Sequence, residues 1–150
     1  MPSIVSITYS PPTEVPRPED HYHRAPAAEA MLLADRGIES DRKSKGGKRQ
    51  LNIMSAATLA QLREEGFHTN PGQMGEQIVL EGIDVDHLPA GAKLKLGPSA
   101  IVEVSIPRTG CDRFEHIQGK HKKLVGGRLG VMASVIVSGK IAVGAAAAIA

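Results

Sequence analysis

From Gln77 onward the chain is cut into short β-branched segments by glycine and proline, and this punctuation constrains its fold more than any other feature. Residues 77–80 (QIVL) run into Glu81-Gly82, and Lys93–Leu96 alternates Lys-Leu-Lys-Leu before Gly97-Pro98. Residues 100–106 are β-branched and stop at Pro107. Val131–Val137 and residues 140–143 are joined through Ser138-Gly139, which predicts a hairpin. β-branched side chains fit a pleated surface, and glycine and proline mark the turns between strands. Short strands at this spacing predict a barrel or sandwich rather than alternating βα units.

The N-terminal half adds less β signal. Ser3–Tyr9 is a strand by the same criterion and ends before Pro11-Pro12. Residues 10–27 are proline-rich, carry charges and two histidines, and have no periodicity, so they form a loop or excursion. Residues 27–34 have helix-forming Ala, Glu, Met and Leu, but the stretch is short and is read as a strand. Residues 37–48 are glycine- and lysine-rich, a loop, and 50–53 are extended. One clear helix follows. Ser55 is placed as its N-cap, Met54 and Leu59 take hydrophobic-staple positions, and Gly66 ends it. A second, short helix over residues 112–117 would present Phe114 and Ile117 on one side.

Composition narrows the function. A chain of 150 residues suits one domain and can bury roughly two-thirds of its unfolded surface. There is no Trp, and there are two Phe and two Tyr, so the core is aliphatic and a stacking platform for nucleic acid is not expected. The net charge of +2 does not announce a nucleic-acid binder. The charge is nevertheless uneven. Residues 42–49 carry five cations and no acid, and residues 120–128 carry four and no acid. Two such loops on a nearly balanced chain suggest an anion site, with solvated loops as the plainer reading. A single cysteine excludes an intrachain disulfide and a multi-cysteine metal cage. The N-terminus lacks the pattern of a signal peptide, and the longest apolar run is too broken to span a bilayer. A cytoplasmic protein without membrane partners is the expectation.

Cys111 is the first candidate for chemistry. It follows Pro107-Arg108-Thr109-Gly110 and precedes Asp112-Arg113. A free cysteine is often a small buried hydrophobe. Here the strand stop, the glycine and the flanking charges favour a loop near solvent. Arg108, Arg113 and a helix start would stabilise a thiolate, whereas Asp112 would oppose it. Residues 37–42 (GIESDR) form a glycine-led acidic-basic turn in which Asp41 pairs Arg42 or Arg49, or orients a basic side chain toward a ligand. Residues 72–77 (GQMGEQ) place two glycines three apart before a strand, and include Gly75 and Glu76. Either the backbone there admits close approach of a ligand, or it is an ordinary turn. The Gly-Lys-Ser/Thr ending of a phosphate-binding P-loop is absent. His21 and His23 alternate around Tyr22, but a metal site would need further ligands. His116 and His121 lie near the short helix, one of them a base for the thiol or both ordinary surface. No Gly-x-Ser-x-Gly, HExxH or GxGxxG motif occurs.

Taken in order, these pieces resemble the MOSC domain, the β-rich module at the C-terminus of molybdenum cofactor sulfurases, here as a stand-alone bacterial-type member. The corresponding pieces are Gly37 through Asp41, Arg49, Gly72 through Gln77, Leu88 to Gly91, Pro107 to Cys111, Arg128 to Val131, and Gly139 to Ile141. The match spans about residues 37–144. Ser40 stands where the family often has Gly, Gln77 replaces the usual Asn, and Gly144-Ala145 replaces Gly-Asp. The first two departures bear on ligand contacts and the third on a surface turn.

The resemblance implies a mainly β fold, a mostly antiparallel barrel like the small barrel of pyruvate kinase, with one main helix and a short one. It implies molybdenum cofactor (molybdopterin) as ligand, with Cys111 binding the metal or carrying sulfur. Basic residues would hold the pterin phosphate, and Arg49 and Arg128 are expected to face one pocket with Cys111. Arg42, Asp41, Gly75, Glu76 and Arg108 complete the expected cofactor set. No pyridoxal phosphate is expected, so sulfur would come from a partner such as a cysteine desulfurase. Three function classes follow: a molybdenum-cofactor domain, alone or serving with a redox partner a small oxidoreductase that detoxifies N-hydroxylated compounds; a persulfide carrier; and a non-enzymatic anion-binding module.

Overall fold

The computed structural model of the chain describes residues 1–12, 16, 18–41, 46–47 and 49–150. The strands in chain order are β1 (Ser3–Tyr9), β2 (Ala25–Pro26), β3 (Glu29–Leu33), β4 (Gly37–Ile38), β5 (Leu51–Ser55), β6 (Ile78–Glu81), β7 (Lys93–Leu96), β8 (Ala100–Pro107), β9 (Val131–Val137), β10 (Gly139–Ala142) and β11 (Ala147–Ile149). Helix α1 (Ala56–Glu64) lies between β5 and β6, and α2 (Asp112–Gln118) between β8 and β9.

Eight strands form one sheet in the order β11-β7-β8-β9-β5-β6-β1-β2, curled into a half-barrel. Its pairs are antiparallel except β5 with β6, whose parallel register is allowed by the α1 crossover. The curl brings β1 to the segment before β11. Ile4 N donates to Ala145 O, Gly144 N donates to Ile4 O, and a bridge joins Ser3 to Ala146. A second sheet, β10-β3-β4, packs alongside.

Strand alternation builds two cores. Ile53, Ile78 and Leu80 point into the curl with Ile4, Leu51, Val102 and Val135. Their neighbours Met54 and Val79 point outward, where Leu59 and Leu62 of α1, Phe67, Met74, Phe114 of α2 and Leu129 cover them. All five residues of β5 are therefore buried. Phe114 is fully buried and is worth about 1.5–3 kcal/mol relative to an exposed ring. This second core fixes the end of the half-barrel that carries α2 and its N-cap, Cys111.

Three local expectations are corrected. First, β9 and β10 do not form a hairpin. β9 pairs with β5 and β8, whereas β10 leaves for β3. Gly139 makes the crossing possible, since an added Cβ would lie 2.5 Å from Ala100 N, and the Ser138 hydroxyl accepts from Ala34 N at 2.8 Å. Second, Ser55 is the N-cap of α1 by position, but its hydroxyl donates to Ile83 O and accepts from Val85 N, each at 2.8 Å. It pins the following 3-10 turn, Val85–His87, rather than the helix end. Third, α2 buries Phe114 and Gln118, an i, i+4 pair, and leaves Ile117 half-buried. Residues 37–38 of the expected loop pair with β3, and the alanine-rich β11 was not anticipated. Among the described residues no helix is long and apolar enough to cross a membrane.

Candidate functional site

Cys111 is exposed. It follows the end of β8, where Pro107 pairs with Val131, and its carbonyl accepts from Glu115 N to start α2. Because Phe114 and Gln118 hold the inner face of that helix, the N-cap side chain is left at the surface. Gly110 allows the close passage beneath: a Cβ there would lie 2.8 Å from Lys122 Cβ.

Arg108, three residues before Cys111, is half-buried and fixed from several sides. Nη1 donates to Asn52 Oδ1 at 2.8 Å and to Met74 O at 2.6 Å, and Nη2 donates to the Tyr22 hydroxyl at 3.4 Å. The guanidinium carbon lies 6.0 Å from both the Tyr22 and Phe114 ring centroids. Arg113 covers Tyr22 at 4.8 Å and donates through Nη2 to Pro18 O and His21 O. The phenol thus sits between two guanidiniums. Burial raises the Tyr22 hydroxyl pKa, Cys111 adds to the rise, and both arginines oppose it.

The Gly72–Gln77 turn lies against this cluster. Gly72 and Gly75 both have φ +83°, a region in which other residues are strained. A Cβ on Gly72 would fall 2.8 Å from Arg24 Cβ, and one on Gly75 would fall 2.9 Å from Tyr22 Cζ and 3.0 Å from Arg108 Nη2. The close approach read from these glycines is therefore made here by the chain's own residues 22 and 24. Glu76 folds back within the turn and accepts from Gly72 N and Met74 N. Its burial raises its carboxyl pKa, with those hydrogen bonds and Arg108 opposing. Gln77 Oε1 accepts from Asn52 N at 2.8 Å, so the residue that departs from the family pattern supports β5.

Arg24 joins the turn to Asp41. Nη2 donates to Gly75 O at 3.0 Å, while Nη1 lies 3.8 Å from Asp41 Oδ2, with both side chains almost wholly buried. Its Nε and Nη1 have no hydrogen-bond partner among the described residues. Burial pulls this guanidinium below its ordinary pKa, and Asp41 and Glu76 resist. Buried arginine nitrogens without acceptors are uncommon and costly.

The expected residues thus divide. Asp41, Gly75, Glu76 and Arg108 come together beside Cys111's helix, linked by Tyr22 and Arg24. Arg128 does not join them, because its guanidinium forms a two-pronged pair with Glu65 and donates to Leu124 O and Val125 O. It lines a separate groove of about 610 Å³ with Ser55, Thr58, Gly126 and Gly127. Arg49 is exposed, and its neighbour Gln50 bonds Val135, four residues or roughly 13 Å along β9 from the Cys111 end. Among the described residues no contact brings Arg49, Arg128 and Cys111 into one pocket. Arg42 lies outside the described residues. His21 pairs with Asp20, His23 is exposed, and His121 accepts from Lys123 N. No group of three or more metal-ligating side chains occurs among the described residues. Tyr22, Arg24 and Asn52 were missed. The available signal is an aromatic and an arginine two residues apart, Tyr22 and Arg24, in a polar excursion.

The family model for the MOSC domain matches residues 39–147. The chain belongs to the MOSC family. Solved structures similar to this MOSC chain include YiiM from Geobacillus stearothermophilus, 21% identical with a TM-score of 0.77 over all of this chain and 75% of that one. YiiM from Escherichia coli is 22% identical with a TM-score of 0.67, covering 100% of this chain and 70% of that one. YuaD from Bacillus subtilis is 17% identical with a TM-score of 0.71, covering 95% and 92%. At these identities the likeness supports the curled half-barrel with two helices, and the MOSC signature itself comes from the family match. No curated protein matches the sequence.

Proposed function

We propose that this MOSC domain binds molybdenum cofactor, with Cys111 as the protein's thiolate ligand to the metal and the Arg24–Arg108 side of the cluster receiving the pterin phosphate. The observation that carries this reading is the buried Arg24 guanidinium, two of whose nitrogens have no hydrogen-bond partner among the described residues, tied through Gly75 O to the turn that contacts Arg108 and Tyr22. An anion held close by would satisfy those donors, and arginine suits phosphate geometry. A thiolate is a soft ligand, and a single protein donor fits a metal whose other ligands arrive with the cofactor. The residues present therefore fit the group. Gly75, Glu76 and Asp41 would hold the arginines in place, Glu76 by fixing the turn and Asp41 by facing Arg24. When bound, the cofactor supplies two-electron chemistry at molybdenum, and the chain's own residues hold and orient it.

The test is metal analysis of protein purified without oxygen from a host that makes the cofactor. Wild type is expected to carry molybdenum and Cys111→Ser to lose it. Metal-free wild type, or equal loading of the variant, overturns the reading. The exposure of Cys111 also suits a persulfide carrier. In that case incubation with a cysteine desulfurase makes the wild type, but not Cys111→Ser, heavier by one sulfur atom without any molybdenum bound.

A further inference from the structure

We propose that Tyr22 is an internal gate on this site: its phenol occupies the space among Gly75, Arg108 and Arg113, and a phosphomonoester releases it by taking those guanidiniums. The proposal rests on the reading of this cluster as the ligand site, and adds how that site is closed and opened.

The phenol stands where a ligand would approach the turn. Gly75 leaves room for the Tyr22 ring and for nothing larger than hydrogen on its own Cα, since a Cβ would meet the ring at 2.9 Å. The hold on the ring is weak. Its hydroxyl meets Arg108 Nη2 at 3.4 Å, the long limit of a hydrogen bond, and the Arg108 guanidinium carbon is 6.0 Å from the ring centroid. Arg113 at 4.8 Å is closer, and the same side chain ties down the backbone at Pro18 and His21. The cover is therefore held chiefly by groups that also bind anions. Charge-assisted bonds from arginine to phosphate are stronger than a cation–π contact at a partly exposed ring.

The excursion has a fixed end on which to swing. Arg24 is anchored to Gly75 O, and Ala25 pairs with Tyr9 in the sheet. Displacement of residues 18–23 would keep that anchor and widen the cavity of about 280 Å³ that Tyr22 lines with Arg24, His68 and Gln73, and would carry Asp20 and His21, which also line it, away with the ring. Arg24 also lines that cavity, and its Nε and Nη1, buried behind it, have no hydrogen-bond partner among the described residues. An anion taking the place of the phenol would meet Arg108 and Arg113, and Arg24 lines the neighbouring cavity.

The chain provides its own reporter. It has no Trp and two Tyr, so Tyr9→Phe leaves Tyr22 as the source of intrinsic emission. Acrylamide quenching is measured with glycerol 3-phosphate, with inorganic phosphate, and with chloride at matched ionic strength. Release by either phosphate, as a rise of about twofold or more in the quenching constant without a chloride effect, is the expected result. Arg113→Gln is expected to raise quenching before any ligand is added. In the wild-type protein the Tyr22 ring-proton resonances should move toward those of free tyrosine on the same additions, which covers the case of a misfolded variant. Phosphate that binds by calorimetry without changing Tyr22, phosphate that does not bind, or an equal effect of chloride overturns the gate. Since no metal enters this experiment, its outcome is separate from molybdenum loading at Cys111.

Discussion

Asn52 and Arg108 are joined by a hydrogen bond of 2.8 Å between a buried amide oxygen and a guanidinium that reaches the candidate site. Asn52 is 2% exposed, and its Nδ2 donates to both Leu129 O and Val131 O. One side chain on β5 therefore fixes the start of β9 and aims the arginine that follows β8. Asn52→Ala removes three hydrogen bonds and leaves buried acceptors without a donor. The expected loss is about 2–4 kcal/mol, read as a lowered midpoint in urea unfolding. A variant within error of wild type would show that these bonds are made by other groups.

Ser40 adopts φ +69°, a left-handed conformation, at the position where the family often has glycine. A residue with a Cβ pays roughly 1–2 kcal/mol there, and glycine pays about 0.5–1 kcal/mol in chain entropy. Ser40→Gly is accordingly expected to stabilise the fold by roughly 0.5–1 kcal/mol in the same unfolding assay. A destabilised variant would mean that the serine side chain contributes more than its backbone strain costs.

Glu76 gives a pH dependence of definite sign. Burial raises its folded pKa above the ordinary value of 4.5, so the folded state holds this proton more tightly than the unfolded chain. Stability from Glu76 is complete below that ordinary value and is lost as pH rises through the raised one. Glu76→Gln removes the titration. The wild-type melting temperature, taken relative to that of Glu76→Gln, is expected to fall as pH increases from about 4.5 upward. A flat or rising difference would contradict the raised pKa.

Arg128→Ala separates two readings of a basic residue in a glycine-rich stretch. Its partner Glu65 is surface-exposed, and Arg128 also donates to Leu124 O and Val125 O. The expected cost is about 1 kcal/mol or less. Alkylation of native Cys111 by iodoacetamide should stay within about twofold of wild type, as for independent sites. A large change in alkylation would bring Arg128 back into the Cys111 site.

The strands from β6 to β9 were legible because glycine and proline cut them at the same places where the sheet turns. Helix α1 was legible from Met54, Leu59 and Gly66, which act locally. Strand β11 was not, since alanine has little β-propensity and Ala147–Ile149 is extended only by pairing with Leu94–Leu96 of β7. The Ser138-Gly139 hairpin failed for a related reason: turn chemistry specifies that a chain can turn, whereas the partner of β10 depends on where β3 lies.

The sequence by itself determined the family, the mainly β character, and an exposed Cys111 after Pro107, because strand breaks, glycines and flanking charges are local signals. Tertiary structure decided which charges meet. Residues 72–77 and Arg108 gained Tyr22 and Arg24 from an excursion 51 to 86 residues earlier, while Arg128 was taken by Glu65, 63 residues away in the chain. Charge composition cannot distinguish these outcomes. A guanidinium is committed by the nearest acceptor in space, and the curl of the half-barrel together with the packing of α1 and α2 sets which acceptor that is.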